Sequence, residues 1–161
     1  MTLGVQLHRE WTADLDAATF YEILRLRVEV FVVEQSCPYP ELDGRDLEPT
    51  TRQLWVSDAD GAVIATLRLL EDGASEEYPM FRIGRVCTAR SHRGHGYAAR
   101  LIATALAEVG KHPCRIEAQS YLTGMYAQFG FVIDGDEYLE DGIPHVSMLR
   151  PGAISNDAGS V

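Results

Sequence analysis

The stretch ARSHRGHGYAARL, residues 89–101, joins a run with strand character to a run with helical character. A connection this short needs neither two glycines nor so many hydrogen-bond donors for folding alone. Gly94 and Gly96 let the backbone approach a ligand without a Cβ in the way, and the first N–H groups of the following helix have no partners within that helix. Arg93 adds a permanent charge and a fork of donors suited to phosphate oxygens. The stretch therefore predicts a diphosphate site.

A dinucleotide is one ligand that such a loop suits. The letters GHGYAA satisfy the pattern G-x-G-x-x-A, and Glu117 follows about 20 residues later, where an acid that binds a ribose is expected. That pattern belongs to a first βαβ unit, in which an apolar strand runs almost directly into the first glycine. Here several strands precede the loop, and the polar run TARSHR, residues 88–93, separates strand from glycine. The context thus disfavours a dinucleotide.

Length and charge exclude several classes of function. The 161 residues fit one domain, which we predict to span residues 1–150, followed by a disordered tail over residues 151–161. The net charge of −10 argues against nucleic-acid binding, and it suits both a cationic substrate and solubility in general. No signal peptide and no long apolar run is visible, so we expect no membrane segment and a cytoplasmic location.

The cysteines point to the same compartment. Cys37, Cys87 and Cys114 are odd in number and widely spaced, which suits neither a disulfide framework nor a zinc site. We therefore expect a reducing environment and no metal.

The first part of the chain predicts a strand, a helix and a long loop. Residues 4–11 alternate in the manner of a strand, and Asp14 is expected to cap the helix that follows. Arg27 falls on the apolar face of that helix, where either its stem packs while its head reaches water, or it anchors a carboxylate or an acidic loop. Residues 34–49 contain several prolines and predict a long ordered loop. The apolar face itself consists of Phe20, Ile23, Leu24, Val28 and Phe31.

The remainder predicts a mixed α/β protein. Residues 52–58 and 62–70 form a hairpin around an Asp-Gly type of turn, and residues 81–89 form the next strand. After the opening stretch come a helix that ends at Gly110, a strand CRIEA, a short helix YLTGMYAQF and two closing strands within residues 130–150. The predicted order is β-α-β-β-β-α-β-α-β-β, with no internal repeats. The helix that ends at Gly110 packs through Leu101, Ile102, Ala105, Leu106 and Val109.

Two motifs resemble one known superfamily. RGHGYA, residues 93–98, matches the pattern (Gln/Arg)-x-x-Gly-x-(Gly/Ala) and is similar to the coenzyme A pyrophosphate loop of the GNAT superfamily, the GCN5-related N-acetyltransferases. YAQFGF, residues 126–131, resembles the C-terminal signature of the same superfamily. Residues 24–49, 83–88 and 138–148 look like its ElaA subgroup. The resemblance covers the chain to about residue 150.

The resemblance implies a fold and an activity. The fold would be a mixed, splayed β-sheet flanked by helices. The activity would be transfer of an acetyl group from acetyl-CoA to an amine, without a metal. The partner would be a small-molecule or peptide amine, not a nucleic acid or a membrane, and a homodimer is left open.

The resemblance also implies roles for particular residues. Backbone groups of Val86, Cys87 and Thr88 would contact the pantetheine arm of the cofactor, together with Gln119. Tyr126 would give the departing thiolate a proton, unless it is simply a tyrosine packed beside Phe129. A nucleophilic role for Cys87 is not expected, because a cysteine in a strand is usually a small buried hydrophobe. The diphosphate would lie on Arg93, Gly94, His95, Gly96, Tyr97 and Ala98.

The general base is where the sequence departs from many GNAT enzymes. They carry a glutamate near the position of Gly84 and Arg85, where this chain has no carboxylate. The alternatives are a water molecule, an amine that arrives neutral, or one of the groups Glu34, Asp43, Glu117 and His145. The acidic residues of the loop, Glu41, Asp43, Asp46 and Glu48, would either attract an ammonium group or simply be solvated.

Two other functions fit the same sequence. One is a non-catalytic protein that binds or senses acyl-CoA, which the missing carboxylate supports. The other is an acyltransferase similar to the acyl-homoserine lactone synthases, which residues 24–46 faintly resemble. Those enzymes take their acyl group from a carrier protein, so the diphosphate loop counts against them.

Overall fold

A computed structural model of the chain describes residues 4–73 and 79–153. In chain order, the elements are β1 (Gln6–Trp11), α1 (Ala17–Val28), β2 (Arg52–Ser57), β3 (Val63–Glu71), β4 (Phe81–Thr88), α2 (Tyr97–Val109), β5 (Cys114–Gln119), α3 (Thr123–Ala127), β6 (Val132–Ile133), β7 (Tyr138–Glu140) and β8 (Ile143–Arg150). The predicted α/β class is confirmed. The closing segment differs from the prediction, since it holds three strands rather than two.

The described chain forms two compact units. The first contains the residues up to Leu70 together with Ile83–Leu106, and the second contains the described residues of Glu71–Arg82 and those from Ala107 onward. The prediction of one domain over residues 1–150 stays a prediction. Of the tail predicted to be disordered, residues 154–161 lie outside the described residues, as do residues 74–78.

The first unit is built on strands in the order β1-β2-β3-β4. β1 pairs antiparallel with β2, and β2 pairs antiparallel with β3, with Leu54 opposite Leu67. The predicted hairpin is thus confirmed, and Gly61 takes the left-handed conformation in its turn, with a φ of +84°. Helix α1 covers an apolar cluster that consists of Ile23, Leu26, Val30, Trp55, Val63 and Cys87.

Helix α1 departs from the prediction at its start and on its face. Its N-cap is Asp16 rather than Asp14, and the Asp16 carboxylate accepts a hydrogen bond of 2.7 Å from the amide of Thr19. Val28, predicted to be buried, is 37% exposed, whereas Leu26 and Arg27 are buried. The helix continues as a wider π-helical turn over Glu29–Glu34. Because such a turn holds more residues than an α-helical one, it changes which side chains face the sheet.

The second unit is built around β8. β5 and β6 both pair antiparallel with β8, and β7 pairs with it through Tyr138 opposite His145. Strand β7 is the one that the sequence did not predict, because the run from Asp134 to Asp141 is polar and shows no apolar alternation. Within the described residues, no helix combines the length and the apolar character needed to cross a bilayer.

Candidate active site

The glycine loop, residues 93–98, precedes a helix of 13 residues, α2. Gly94 and Gly96 both take the left-handed conformation, with φ of +83° and +76°. A Cβ built on either residue meets nothing within 4 Å. The backbone conformation therefore requires glycine here, and the space beside it is open. The amide of Arg100 donates to the carbonyl of Gly96, so the amides of Tyr97 and its next two neighbours precede the first hydrogen bond of the helix.

The arginine of the glycine loop is held by two contacts within the first unit. Nε of Arg93 donates to the carbonyl of Thr88 over 3.1 Å, and Nη2 donates to the carboxylate of Glu34 over 2.7 Å. The side chain is still 42% exposed. Two of its nitrogens are thus fixed on the protein, and Nη1 is left for a further acceptor. An oriented arginine at the start of a helix can hold a diphosphate.

Glu34 lies at the end of the π-helical turn, where its carboxylate contacts Arg93 rather than standing alone. The sequence placed Glu34 among the candidates for the general base. The structure instead brings it together with the diphosphate loop, a relationship between residues 59 positions apart in the chain.

Strand β4 leads into this loop through Val86, Cys87 and Thr88. Val86 and Thr88 are partly exposed, and Cys87 is buried. Burial raises the pKa of the Cys87 thiol to about 12, so it stays protonated near neutral pH. This fits the expectation that Cys87 is not a nucleophile. Just before these residues, Arg85 takes the left-handed conformation with a φ of +53°.

Two carboxylates of the acidic loop, residues 34–49, are neither solvated nor accessible to an ammonium group. Glu41 and Asp46 are each only 4% exposed. Nε of Arg27 donates to Glu41 over 2.6 Å, while its two terminal nitrogens donate to Asp46 over 2.7 Å and 3.0 Å. Of the two roles considered for Arg27, the anchor of an acidic loop is confirmed. Its side chain is completely buried, so the idea that its head reaches water is wrong.

Asp43 belongs to the same assembly. Both its oxygens accept hydrogen bonds from Arg68, over 2.8 Å and 2.6 Å. Those hydrogen bonds hold the pKa of Asp43 well below its ordinary value, although partial burial opposes them. A carboxylate with so low a pKa accepts a proton poorly at neutral pH, which argues against Asp43 as the general base.

Six side chains form what we call the ion-pair cluster: Arg27, Arg68, Arg85, Glu41, Asp43 and Asp46. Sequence analysis missed the two arginines that come from β3 and β4. A signal was present, because each has apolar neighbours in its strand, in the runs TLRLL and IGRVCT. A charge in such a place is rarely buried without a partner.

In the second unit, Glu117 is surrounded by donors. Its carboxylate accepts hydrogen bonds from the Tyr138 hydroxyl over 2.7 Å, from Ser147 over 3.1 Å and from Arg82 over 3.2 Å. Sequence analysis missed Tyr138 and Ser147, which reach Glu117 through β7 and through the register of β8. His145 donates from Nδ1 to the carbonyl of Ile143 and stacks on Tyr138, with 5.9 Å between the ring centroids.

Tyr126 lies on α3 and is 4% exposed. Its ring meets Phe131 edge-on, with 6.1 Å between the centroids, so its aromatic neighbour is Phe131 rather than the expected Phe129. Burial raises the pKa of the Tyr126 hydroxyl above its ordinary value. The hydroxyl therefore carries its proton throughout the neutral range. Gln119 ends β5 and pairs in register with His145.

The residues that the structure describes contain no group of three or more His, Cys, Asp or Glu side chains that could hold a metal ion. The donors present at the glycine loop are backbone amides and a guanidinium, which suit an anion instead.

Comparison with known proteins gives a consistent result. Residues 17–150 match the family model of the acetyltransferase (GNAT) domain. A UPF0039 protein of Mycobacterium tuberculosis is 65% identical over 147 residues, which cover 91% of this chain and 94% of that protein. Protein ElaA of Escherichia coli is 35% identical over 144 residues, covering 86% of this chain and 91% of that protein.

A solved structure shows the same relationship in three dimensions. The crystal structure of an acyl-CoA N-acyltransferase from Pseudomonas aeruginosa superposes with a TM-score of 0.83 at 40% identity, covering 91% of this chain and 99% of that one. The chain is therefore an acyltransferase that belongs to the ElaA-like group of the GNAT acetyltransferase family.

Proposed function

We propose that this protein transfers an acetyl group from acetyl-CoA to a primary amine. The observation that carries the proposal is the glycine loop. Gly94 and Gly96 hold a left-handed backbone beside open space at the start of α2, next to an arginine that Glu34 and Thr88 orient. Exposed amides and an oriented guanidinium are the donors that a diphosphate requires. Arg93, Gly94, His95, Gly96, Tyr97 and Ala98 would hold it.

The acyl arm of the donor requires other groups. Backbone groups of Val86, Cys87 and Thr88 would contact the pantetheine, and the amide of Gln119 would serve as a further partner. The location of Val86 and Thr88 at the end of a strand, partly exposed and a few residues before the glycine loop, supports this role.

The reaction forms a bond between the amine nitrogen and the acyl carbon and breaks the bond from that carbon to sulfur. The nitrogen loses a proton and the sulfur gains one. We assign the donation to sulfur to Tyr126, whose raised pKa keeps it protonated at neutral pH. Because a phenol is a weaker acid than a thiol, this transfer is unfavourable by itself, so it has to accompany cleavage of the bond to sulfur and be followed at once by reprotonation of the tyrosine. The proton lost by nitrogen returns to the tyrosine through solvent.

Three groups are candidates to accept the proton from the amine. Glu117 presents a partly exposed carboxylate within a network of hydroxyl donors. Glu34 is the second assignment, although its ion pair with Arg93 favours a role in orienting that arginine. A water molecule is the third. For the acceptor we propose a small-molecule or peptide amine, because the net charge of −10 favours a cationic partner.

Two measurements on the full chain test the proposal. Calorimetry compares the affinity of acetyl-CoA with that of S-acetylpantetheine, which keeps the acyl arm but lacks the diphosphate. We expect acetyl-CoA to bind far more tightly, and Arg93→Ala to remove most of that difference. Arg25→Ala serves as the matched control, because this arginine lies on the exposed side of α1 in pairs with Glu22 and Glu29.

The second measurement follows release of the CoA thiol with a panel of primary amines. Release that depends on an amine supports transfer. Binding of acetyl-CoA without release for any amine would instead favour a protein that only senses acyl-CoA. Absence of binding at millimolar acetyl-CoA would overturn the proposal.

A further inference from the structure

Arg85 has an unusual backbone for a residue within a strand. Among the described residues, three that are not glycine have a positive φ, namely Ser36, Arg85 and Asp141, and of these only Arg85 lies inside a strand. A residue with a Cβ is strained in this conformation, whereas glycine adopts it freely. The preceding residue is a glycine, Gly84, yet it is not the one that takes the positive φ. The surroundings of Arg85 must therefore hold it there.

The side chain of Arg85 is bound by the acidic loop. Its Nε lies 2.8 Å from Oε2 of Glu41, and its Nη2 donates to the main-chain carbonyl of Glu41 over 3.0 Å. The carboxylate of Asp43 lies 3.4 Å from the same Nη2. The guanidinium also lies over the ring of Tyr39, 5.5 Å from its centroid. One side chain thus meets three residues of the loop.

The loop is a firm support because its acids are themselves fixed. Arg27, which is completely buried, binds both Glu41 and Asp46. The hydroxyl of Tyr39 donates to Glu41, and Arg68 joins Asp43 to Asp46. Because breaking any of these buried pairs would strand a charge, the loop resists movement. With the loop held in this way, the unusual backbone conformation falls on β4, at Arg85.

The bend comes immediately before the backbone groups that the proposed function assigns to the cofactor. A left-handed residue turns the next peptide away from the direction of a regular strand, as in a β-bulge. Val86, Cys87 and Thr88 follow it, and the Thr88 carbonyl in turn receives Arg93. A turn at residue 85 therefore fixes the direction of the amides that follow.

We infer that Arg85 is a positioning residue: bound by Glu41 and Asp43 of the acidic loop, it holds β4 in the left-handed turn that directs the amides of Val86–Thr88 toward the acyl arm of CoA. The inference rests on the proposed function for its catalytic consequence, but the backbone geometry exists in the protein alone. Arg85 itself does not touch the reacting atoms in this scheme.

The test compares two substitutions at one position. Arg85→Ala removes the side-chain contacts and keeps the strain, so β4 is expected to relax into a regular strand. Arg85→Gly also removes the contacts but lets the backbone keep its positive φ without strain. If the role is to hold the backbone, kcat falls by roughly tenfold to a hundredfold in Arg85→Ala, and Arg85→Gly keeps most of the activity. If the side chain only anchors the loop, or contacts the substrate directly, kcat falls equally in Arg85→Ala and Arg85→Gly. That result overturns the inference.

A readout without substrate separates this inference from the proposed function. Amide resonances of Val86–Thr88 in labelled, ligand-free protein are expected to shift strongly in Arg85→Ala and in Glu41→Gln, and only weakly in Arg85→Gly. Arg25→Ala on α1 and Glu29→Gln at the start of the π-helical turn make the same side-chain changes at exposed positions and serve as the controls. Unmoved resonances in Arg85→Ala and Glu41→Gln overturn the inference even if the enzyme transfers acetyl groups.

Failure of the proposed function can also be told apart from failure of the inference about Arg85. If the wild-type protein does not bind acetyl-CoA, the proposed function fails while the amide shifts still report on Arg85. Should Arg85→Ala not fold, Arg85→Lys takes its place, because a lysine keeps the strain and the charge but cannot bind Glu41 through two nitrogens. We then expect Arg85→Lys to be less active than Arg85→Gly, and the opposite order would overturn the inference.

Discussion

Oε2 of Glu34 accepts a hydrogen bond of 2.7 Å from Nη2 of Arg93, and this pair joins the π-helical turn after α1 to the glycine loop before α2. A carboxylate that orients a cation also reduces the field that the cation offers to an anionic ligand. Glu34 is thus expected to affect the affinity for CoA rather than the chemical step.

Glu34→Gln tests this expectation. Glutamine keeps an oxygen that accepts the Arg93 hydrogen bond but removes the negative charge. We expect calorimetry to show acetyl-CoA binding roughly twofold to fivefold more tightly, which is the size of an exposed ion-pair effect, with kcat little changed. A collapse of kcat, with loss of the acidic limb of its pH profile, would instead assign Glu34 as the general base.

Gly96→Ala tests the glycine loop. The φ of +76° at Gly96 lies in the left-handed region, so alanine is strained there even though the space is open. We expect a stability loss of about 1 kcal/mol together with a clear loss of CoA affinity. Gly61→Ala is the matched control, since Gly61 has a φ of +84° and equally open space in the hairpin turn. Gly61→Ala should lose a similar amount of stability in thermal unfolding and retain its affinity for CoA. Equal affinity losses in the two variants would contradict a special role for Gly96.

Arg27→Met tests the ion-pair cluster. It removes a fully buried guanidinium and leaves Glu41 and Asp46 buried without their main partner. We expect denaturant titration to show a loss of about 3–5 kcal/mol in the free energy of unfolding. Arg25→Met removes an exposed arginine from the same helix and should cost less than about 1 kcal/mol. Similar losses in both variants would mean that the buried pairs contribute little.

The acid side of the stability curve follows from the same cluster. Arg68 holds the pKa of Asp43 below its ordinary value of 3.8. Burial is the largest single effect on the pKa of Asp46 and raises it, but the hydrogen bonds and charge of Arg27 together with the charge of Arg68 outweigh burial, so that pKa is lowered too. Both groups have a lower pKa in the folded state, so the unfolded state binds more protons in acid. Their contribution is complete well above pH 3.8 and is lost as the pH falls through the folded values.

Urea unfolding between pH 7 and pH 3 measures this effect. The wild-type midpoint should fall steeply toward pH 3, while Asp43→Asn starts lower at pH 7 and falls less. Parallel curves for the two proteins would show that Asp43 is not the group that titrates.

Tyr126→Phe tests the proton donor. Loss of a general acid is expected to lower kcat by roughly 10²–10⁴-fold, with little change in the affinity for acetyl-CoA. Tyr121→Phe is the control, because Tyr121 lies just before α3 and is 78% exposed. Since burial raises the pKa of Tyr126, kcat of the wild-type protein should not fall through tyrosine ionisation below about pH 10. Full activity in Tyr126→Phe would mean that Tyr126 contributes packing and not a proton.

The parts of the fold that could be predicted are those whose signals are local. The hairpin of β2 and β3 follows from alternation around a short turn, and the glycine loop follows from glycines at positions that require positive φ. The cap of α1 was misplaced by two residues because Asp14 and Asp16 are equally good capping residues in isolation. Strand β7 is held by pairing of its backbone, and all its residues are exposed. It therefore needs no alternation of apolar residues, which is the signal that would have predicted it.

The candidate site could be predicted only in part, for a related reason. The residues of the glycine loop are contiguous, so the sequence shows them together. The partners in the ion-pair cluster are not, since Arg27 reaches residues 14 and 19 positions away, and Arg85 reaches a carbonyl 44 positions away. Their pairing depends on which strand lies next to which, and that is decided by packing of the whole unit.

The ion-pair cluster limits which substitutions this chain can accept during evolution. Three cations and three anions balance one another within it. Loss of a buried member, such as Arg27, leaves an excess charge in an interior that cannot hydrate it, so substitution at the buried positions is disfavoured one residue at a time. Among homologues, we expect the six to be inherited as a set or exchanged in matched pairs, while the solvent-facing Arg25 of α1 varies independently.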